Sequence, residues 1–253
     1  MGAPLSVAII ALNEERNIRA CLESVKWADE IVVCDSGSAD RTLDIAAEYG
    51  ARTFQDAWRG FAAHKNLAVE RCRQPWVLVV DADERVTPAL QREIEAVLAD
   101  PAPRDGYLIP RRNYFLGQWI RGCGWYPDET VRLFRRGRGR FAERAVHEAV
   151  VVDGRPGRLA APLEHFTYDS ISAFLQRMDR YSTLAAEELQ RAGRTAHVWD
   201  LLGRPVWTFL RMFLLQRGWR DGWRGVVVCG LYACYAFGKY AKLWELGRSE
   251  RHG

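Results

Sequence analysis

Residues 76–80, Trp-Val-Leu-Val-Val, form an uninterrupted apolar run that ends directly in Asp81-Ala82-Asp83. A short run of this kind, rich in valine, predicts a strand that is buried on both faces. The two carboxylates then lie at the carboxyl end of that strand, where open α/β sheets bind their ligands. Hard cations such as Mg²⁺ combine a few carboxylates with phosphate oxygens of a substrate. The motif therefore predicts a metal ion held on a phosphate. A capped turn is the alternative, because Asp is also common in turns.

The first hundred residues alternate short apolar stretches with amphipathic ones. We expect strands at residues 6–11, 31–34 and 76–80, and helices after Asn13, after Ser38 or Asp40, at residues 61–72, and after Thr87-Pro88. Asn, Ser, Asp and Thr at these places are typical N-cap residues, and a proline is common at the first helical position. Strands and helices in such alternation predict an α/β fold with a parallel sheet that is covered on both faces.

Chain-level properties exclude several classes of protein. A chain of 253 residues with 48% hydrophobic and 27% charged residues is globular, and it forms one large domain or one domain with an appendage. Residues 1–6 contain no basic segment, so we expect no secretory signal and a cytoplasmic location. The six cysteines are scattered without a Cys-x-x-Cys pair, which argues against structural zinc and against a disulfide framework.

Polar residues follow each of the predicted parallel strands. They are Asn13-Glu14-Glu15, then Asp35-Ser36-Gly37-Ser38-Ala39-Asp40, then Asp81-Ala82-Asp83. The carboxyl ends of parallel strands meet at one edge of a sheet, so these residues are expected to converge on one crevice. Asp35 can accept hydrogen bonds from a nucleobase or a ribose, and Lys65 can act as a point charge on a diphosphate. A polar turn and a solvated helix lysine are the alternatives for these two.

Four segments in this order resemble the family 2 glycosyltransferases. They are SVAIIALNEERNI, EIVVCDSGSADRT, HKNLAV and VLVVDADE, and the resemblance extends over residues 5 to about 168. It implies the GT-A fold, with a Rossmann-like nucleotide-sugar half at about residues 1–104, a mixed-sheet acceptor half at about 105–168, and a helical region at 169–253. It also implies that Asp83 binds Mg²⁺ or Mn²⁺ directly. The donor-binding residues implied by the resemblance are Asn13, Glu14, Asp35, Ser36, Lys65 and Asp81.

The segment GWYPDETVRLF lies where the family places its catalytic acidic residue. The family usually has a Glu-Asp pair before a strand that carries an Arg, whereas this chain reads Pro127-Asp128-Glu129. Asp128 and Glu129 therefore both remain candidates, and Asp128 is preferred. An inverting sugar transfer needs one carboxylate that takes the proton from the attacking hydroxyl. Strands of the mixed sheet are expected at residues 106–110, 131–135 and 146–152.

Two further segments, AVHEAV and LEHFTY, resemble parts of the lipopolysaccharide-core members of the family. The resemblance implies contacts to the acceptor or to a phosphate for His147, Glu148 and His165, and His165 is also a candidate metal ligand. A buried core histidine is the alternative. Position 151 is Val, so the His-Glu pair is not part of a His-Glu-x-x-His zinc motif.

The C-terminal region combines positive charge with apolar residues. From residue 200 onward, nine Lys and Arg face four Asp and Glu, a balance of +5, and four tryptophans accompany them. The apolar runs at 205–215 and 226–237 are shorter than the ~20 residues of a transmembrane helix. This pattern favours peripheral attachment to an anionic membrane surface and argues against nucleic-acid binding. A helical hairpin packed on the protein, or on a second copy in a homodimer, is the alternative.

The closest resemblance within the family is to lipopolysaccharide core β-1,4-glucosyltransferases. It implies UDP-glucose as the donor and a lipid-linked or lipopolysaccharide-core saccharide as the acceptor, at the cytoplasmic face of the inner membrane. Two other classes remain open. A nucleotidyltransferase would need a glycine-rich basic loop after the first strand, where this chain has Ala-Leu-Asn-Glu-Glu. A non-catalytic nucleotide-sugar or glycan-binding protein would be expected to lack the Asp-x-Asp motif or the acidic base.

Overall fold

The computed structural model describes residues 2–142 and 149–249. They form two compact units. The first contains the described residues up to Arg112 together with Asp128–His165, and the second contains Asn113–Pro127 and the described residues from Phe166 onward. The first unit carries strands and helices in alternation, and long helices make up most of the second. The predicted fold class, α/β followed by a helical region, is confirmed. The helical unit begins at residue 166 rather than 169, and it also includes residues 113–127.

The N-terminal half of the first unit alternates strands and helices as predicted. Their bounds are β1 Leu5–Ala11, α1 Glu15–Val25, β2 Glu30–Asp35, α2 Thr42–Glu48, β3 Arg52–Gln55, α3 Phe61–Arg71, β4 Trp76–Asp81, β5 Glu84–Val86 and α4 Pro88–Ala99. The sequence-based prediction lacks β3 and β5. The residues of β3 alternate between half-buried and exposed, and β5 has only three residues. A search for apolar runs misses both strands, because neither contains one.

The later strands complete a mixed sheet. They are β6 Gly106–Phe115, β7 Gln118–Trp119, β8 Asp128–Arg135, β9 Gly139–Ala142, β10 Ala149–Val152, β11 Gly157–Arg158 and β12 Leu163–Tyr168. The strand order is β3-β2-β1-β4-β8-β6-β12-β5. The strands from β3 to β4 are parallel, and β8 runs antiparallel to β4. The strand predicted at 146–152 is confirmed for residues 149–152, but its assignment to the mixed sheet is wrong, because β10 pairs with β9 in a separate two-stranded sheet. Residues 146–148 lie outside the described residues.

Register and core packing bring the ends of the parallel strands into line. Ala11 lies opposite Asp35, and Ile10 lies opposite Asp81. Side chains alternate along each strand, so Val7 and Ile9 join the core on one face of the sheet while Ala8 joins the core on the other. Burial on both faces fixes the register, because a shift by one residue would exchange the two sets of side chains.

Two predicted helix caps are wrong and one is confirmed. Asn13 does not cap α1, because it has a positive φ of 55° and the helix begins two residues later. Neither Ser38 nor Asp40 is the N-cap of α2, which begins at Thr42. Thr87 does cap α4: its hydroxyl accepts a hydrogen bond from the backbone N–H of Leu90 at 3.1 Å. Asn13 and Ser38 instead join two loops at the sheet edge, as described below.

The second unit contains long helices and its own core. Its helical segments are α5 Ile171–Arg191, α6 Val198–Leu210, a π-helical turn at Arg211–Leu215, a 3₁₀ turn at Gly218–Asp221 and α7 Gly222–Ser249. Phe115, Trp125, Phe174 and Val228 are among the residues of its buried cluster. Within residues 2–142 and 149–249, no helix combines the length and the apolar character needed to cross a membrane.

Candidate active site

The loops after β1 and β2 are joined by side-chain hydrogen bonds. The backbone N–H of Asn13 donates to the hydroxyl of Ser38 at 2.8 Å, and the side-chain Oδ1 of Asn13 accepts from the N–H of Ala39 at 2.9 Å. The N–H of Glu14 donates to the hydroxyl of Thr42 at 2.8 Å. The predicted donor-binding residues Asn13, Glu14 and Ser36 thus lie in two adjoining loops at one edge of the sheet.

Asp35 is fully buried, and it shapes the turn that follows β2. One carboxylate oxygen accepts from the N–H groups of Gly37 at 2.9 Å and Ser38 at 2.8 Å, and the other accepts from the Ser38 hydroxyl. Gly37 has a φ of 105°, a conformation that a residue with a side chain rarely adopts. A carboxylate has about four acceptor positions, so one remains beyond the three that this turn uses. Contact between Asp35 and a base or ribose stays a prediction.

Asp81 lies at the end of β4 between two buried cations. Its carboxylate is 2.9 Å from the Nζ of Lys65 and 2.9 Å from an Nη of Arg132. Burial opposes ionisation of Asp81, but the charges of Lys65 and Arg132 outweigh it and hold the pKa of this carboxyl well below its usual value. Lys65 is buried rather than solvated. This geometry excludes the solvated-lysine alternative and places Lys65 beside the Asp-x-Asp motif. Contact between Lys65 and a diphosphate stays a prediction.

Asp83 lies beside His165, and the two side chains can hold a divalent cation. The Oδ2 of Asp83 is 3.3 Å from the Nε2 of His165. In an octahedral Mg²⁺ site with bonds of about 2.1 Å, neighbouring ligand atoms lie about 3 Å apart, so the pair fits such a site. Burial favours the neutral form of His165, but the charge and hydrogen bond of Asp83 together with the charge of Glu84 outweigh it and raise the histidine pKa. Within the described part of the chain, no three His, Cys, Asp or Glu residues are arranged to hold a metal. A cation here would need further ligands from substrate or water.

Strand geometry separates the two candidate bases. Adjacent residues of a strand lie on opposite faces, so Asp128 and Glu129 face away from each other on β8. Asp128 is opposite Arg111 in the neighbouring strand and forms an ion pair with it at 2.5 Å. Glu129 forms an ion pair at 2.9 Å with the largely exposed Arg158. The preference for Asp128 stays a prediction, and this geometry supports it.

Three residues of this site were missed by the sequence analysis. Glu84 is fully buried and lies 2.8 Å from Arg132 and 3.5 Å from Arg111. These residues join Asp81 and Asp128 into one network of charges. A detectable signal was present, because the segment DETVRLFR places an arginine between apolar residues of a strand. Of the other predicted residues, His147 and Glu148 lie outside the described residues.

Comparison with known families supports the resemblance. The sequence model described as "Glycosyl transferase family 2" matches residues 6–153. That segment contains both carboxylates of the Asp-x-Asp motif and both candidate bases.

Two relatives align over nearly the whole chain. The lipopolysaccharide core biosynthesis glycosyltransferase LpsC of Rhizobium meliloti (strain 1021) is 34% identical over 249 residues, which are 96% of this chain and 92% of the relative. The uncharacterized glycosyltransferase RT0209 of Rickettsia typhi is 30% identical over 261 residues, with 98% of this chain and 89% of the relative covered.

Solved structures with some similarity include two nucleotide complexes. S. aureus TarS 1–349 in complex with UDP is 17% identical, with 98% of this chain and 92% of that chain covered and a TM-score of 0.49. Glucosyl-3-phosphoglycerate synthase from Mycobacterium tuberculosis, in complex with Mn²⁺, UDP and phosphoglyceric acid, is 23% identical, with 44% of each chain covered and a TM-score of 0.37.

Proposed function

The chain belongs to glycosyl transferase family 2, and on that basis we propose that it is a metal-dependent, inverting glycosyltransferase of lipopolysaccharide-core synthesis. The donor is a nucleotide sugar, with UDP-glucose as the first choice. The acceptor is a lipid-linked or lipopolysaccharide-core saccharide. Support for the core saccharide comes from LpsC, a lipopolysaccharide core biosynthesis glycosyltransferase that aligns with 96% of this chain.

The observation that carries this proposal is the different environment of the two carboxylates in Asp81-Ala82-Asp83. Asp81 is held between Lys65 and Arg132, whereas Asp83 lies 3.3 Å from His165. Asp83 and His165 would hold Mg²⁺ or Mn²⁺, and the cation would supply positive charge against the departing diphosphate. Lys65 and Arg132 add positive charge at the same sheet edge, and they keep Asp81 ionised and fixed in orientation.

Asp128 is the proposed general base. In an inverting transfer, one carboxylate accepts the proton of the acceptor hydroxyl as that hydroxyl attacks the anomeric carbon. The Arg111 ion pair restrains the rotation of Asp128, because a guanidinium binds a carboxylate in a fixed geometry. Glu84 contacts both Arg111, which pairs with Asp128, and Arg132, which pairs with Asp81. It therefore holds the two arginines in a fixed position relative to each other.

The second unit supports attachment to the inner face of the cytoplasmic membrane. No residue of α6 is buried, and Trp199 is 82% exposed. The large hydrophobic side chains exposed along α6 and the turns after it are Val198, Trp199, Leu202, Val206, Trp207, Leu210, Leu214, Leu215 and Trp219. Soluble monomers rarely expose so much apolar surface in one region.

Four arginines, Arg204, Arg211, Arg217 and Arg220, lie in the same segment as these apolar residues. In a dimer formed through this region, the arginines of one copy would repel those of the other. An anionic membrane surface instead attracts them.

A donor panel tests the catalytic proposal. Purified protein is incubated with Mn²⁺ or Mg²⁺, a panel of nucleotide sugars and lipopolysaccharide-core acceptor, and release of nucleoside diphosphate is measured. We expect metal-dependent release of UDP from UDP-glucose. Metal-dependent release of nucleoside diphosphate from a different nucleotide sugar would identify that sugar as the donor instead of UDP-glucose. The reaction class would be unchanged.

The same assay separates the two other classes. Release of pyrophosphate from a nucleoside triphosphate and a sugar phosphate would indicate a nucleotidyltransferase. Binding of UDP-glucose without turnover, with an acceptor that a related transferase does use, would indicate a non-catalytic binding protein. Either result contradicts the proposed function.

A further inference from the structure

The second unit contains a pocket that the proposed reaction does not use. Its volume is about 380 Å³, within the range of about 300–1,000 Å³ that is common for ligand pockets. The pocket is lined by Cys123, Gly124, Trp125, Thr208, Arg211, Met212, Gln216, Tyr232, Tyr235, Ala236 and Lys239. Two of these side chains are cationic and none is acidic. The lining therefore has a net positive charge.

The two cations of this pocket differ in their surroundings, since Arg211 is exposed whereas the half-buried Lys239 ammonium lies 4.8 Å from the centre of the Tyr240 ring. Within the described residues, no carboxylate lies within ion-pair distance of Arg211 or Lys239. Burial, together with the charge of Arg204, lowers the pKa of Lys239, so its ammonium is electrostatically unfavourable where it lies. The pocket beside Arg52 in the first unit is different, because there Glu30 forms an ion pair with the arginine at 2.5 Å. An anion in the pocket of the second unit would supply the missing negative charge.

The pocket lining also contains uncharged hydrogen-bond donors, and exposed apolar side chains lie next to it in sequence. Together they indicate which kind of anion the pocket suits. Thr208, Gln216 and Tyr235 bring hydroxyl and amide groups to the lining, and a guanidinium such as that of Arg211 matches phosphate in a bidentate geometry. Thr208 and Arg211 directly follow Trp207 and Leu210, which are 56% and 43% exposed. Phosphate recognition beside exposed apolar side chains fits a ligand that carries both an anionic group and hydrocarbon.

We propose that this pocket binds the phosphate group of an anionic lipid, with Arg211 and Lys239 as the two cations that neutralise it. The same chemistry has two sources, a membrane phospholipid and a phosphorylated saccharide of a glycolipid. The proposal is independent of sugar transfer, because binding is measured without donor and without turnover.

The test is calorimetric titration of the full-length protein with soluble dihexanoyl phosphatidic acid. We expect saturable binding, and we expect R211Q/K239Q to weaken it by at least about tenfold. R180Q/R194Q is the matched control, since it removes two exposed arginines of the same unit that do not line the pocket. The control should bind within about twofold of the unaltered protein. The thermal unfolding midpoints of both variants verify that they fold.

Two further probes distinguish the sources and can overturn the proposal. Glucosamine 6-phosphate presents a sugar phosphate without hydrocarbon, and dihexanoyl phosphatidylcholine presents hydrocarbon without net charge. Pocket-dependent binding of phosphatidic acid alone identifies the phospholipid, and pocket-dependent binding of the sugar phosphate identifies the phosphorylated saccharide. The proposal is overturned if neither phosphate binds, if phosphatidylcholine binds as tightly as phosphatidic acid, or if the control variant loses as much affinity as R211Q/K239Q.

Discussion

The two units of this protein use positive charge in opposite ways. In the first unit, Lys65 and Arg132 are buried against carboxylates, and Arg111 pairs with both Glu84 and Asp128. In the second unit, Arg211 and Lys239 line a pocket without acidic residues, and the neighbouring helix exposes large apolar side chains. Paired charges in a buried site hold reacting groups in one geometry. Unpaired charges beside exposed apolar surface are instead complementary to a partner outside the protein.

The largest expected effect comes from Asp83, the predicted metal ligand. Asp83→Ala should lower transfer by about 10³-fold or more, because loss of the cation removes several kcal/mol of stabilisation of the departing diphosphate. The fold should be unaffected, since the residue lies beyond the end of β4. The measurement is UDP release together with metal-dependent UDP binding. Asp153→Ala, in an exposed pair with Arg138, is the control. Near-normal turnover of the Asp83 variant would contradict the metal assignment.

The next effect distinguishes the two candidate bases. Asp128→Asn keeps the shape of the side chain but removes its ability to accept a proton, so the rate should fall by about 10²–10⁴-fold with little change in donor affinity. Glu129→Gln is the matched comparison, and it should have a small effect because Glu129 lies on the opposite face of β8 and pairs with the exposed Arg158. The profiles of kcat and donor KM decide between them. A large loss of kcat confined to the Glu129 variant would identify Glu129 as the base.

A third prediction concerns stability and compares paired arginines of one strand. Arg132→Met leaves the buried Glu84 and the half-buried Asp81 without this cation, so it should lower the free energy of unfolding by about 3–5 kcal/mol. Arg135→Met removes a half-exposed pair with Asp105 and should cost about 0–1 kcal/mol. Denaturant unfolding measures both. If the two variants lost equal free energy of unfolding, burial would not determine how much each ion pair contributes to stability.

Sequence reasoning predicted most of the catalytic half because its signals are local. An apolar run followed by Asp81-Ala82-Asp83 defines a strand and its end, and parallel strands bring such ends to one edge of the sheet. The caps failed for a reason that is not local. Asn13 bonds to Ser38 and Ala39 across two loops, and no spacing within one helix reveals that partner.

Arg111, Glu84 and Arg132 were missed for a similar reason. Arg111 meets Asp128 through the register of β6 and β8, and Glu84 meets both arginines only after the sheet has formed. These pairs join residues that are distant in sequence. In the second unit, composition predicted an apolar and basic region, but the pocket around Arg211 and Lys239 depends on how α6, α7 and the turns between them pack.

The smallest predicted effect tests whether exposed apolar residues have different roles in the two units. Trp199, Leu202 and Val206 recur at helical spacing on one side of α6, and each is more than half exposed. Replacing Leu202 by Gln should weaken binding to anionic vesicles by about tenfold, since burying one such side chain contributes about 1.5–3 kcal/mol and part of it stays in contact with water. Val151→Gln is the control, because Val151 is a 55% exposed residue of the first unit. Flotation with anionic and neutral vesicles, at low and high salt, is the measurement.

Salt should weaken binding to anionic vesicles without abolishing it, because it screens the arginines but not the apolar contacts. Equal flotation of the two variants, or unaltered protein that does not float with anionic vesicles, would instead favour packing of this surface against a second copy, which sedimentation would detect as a dimer.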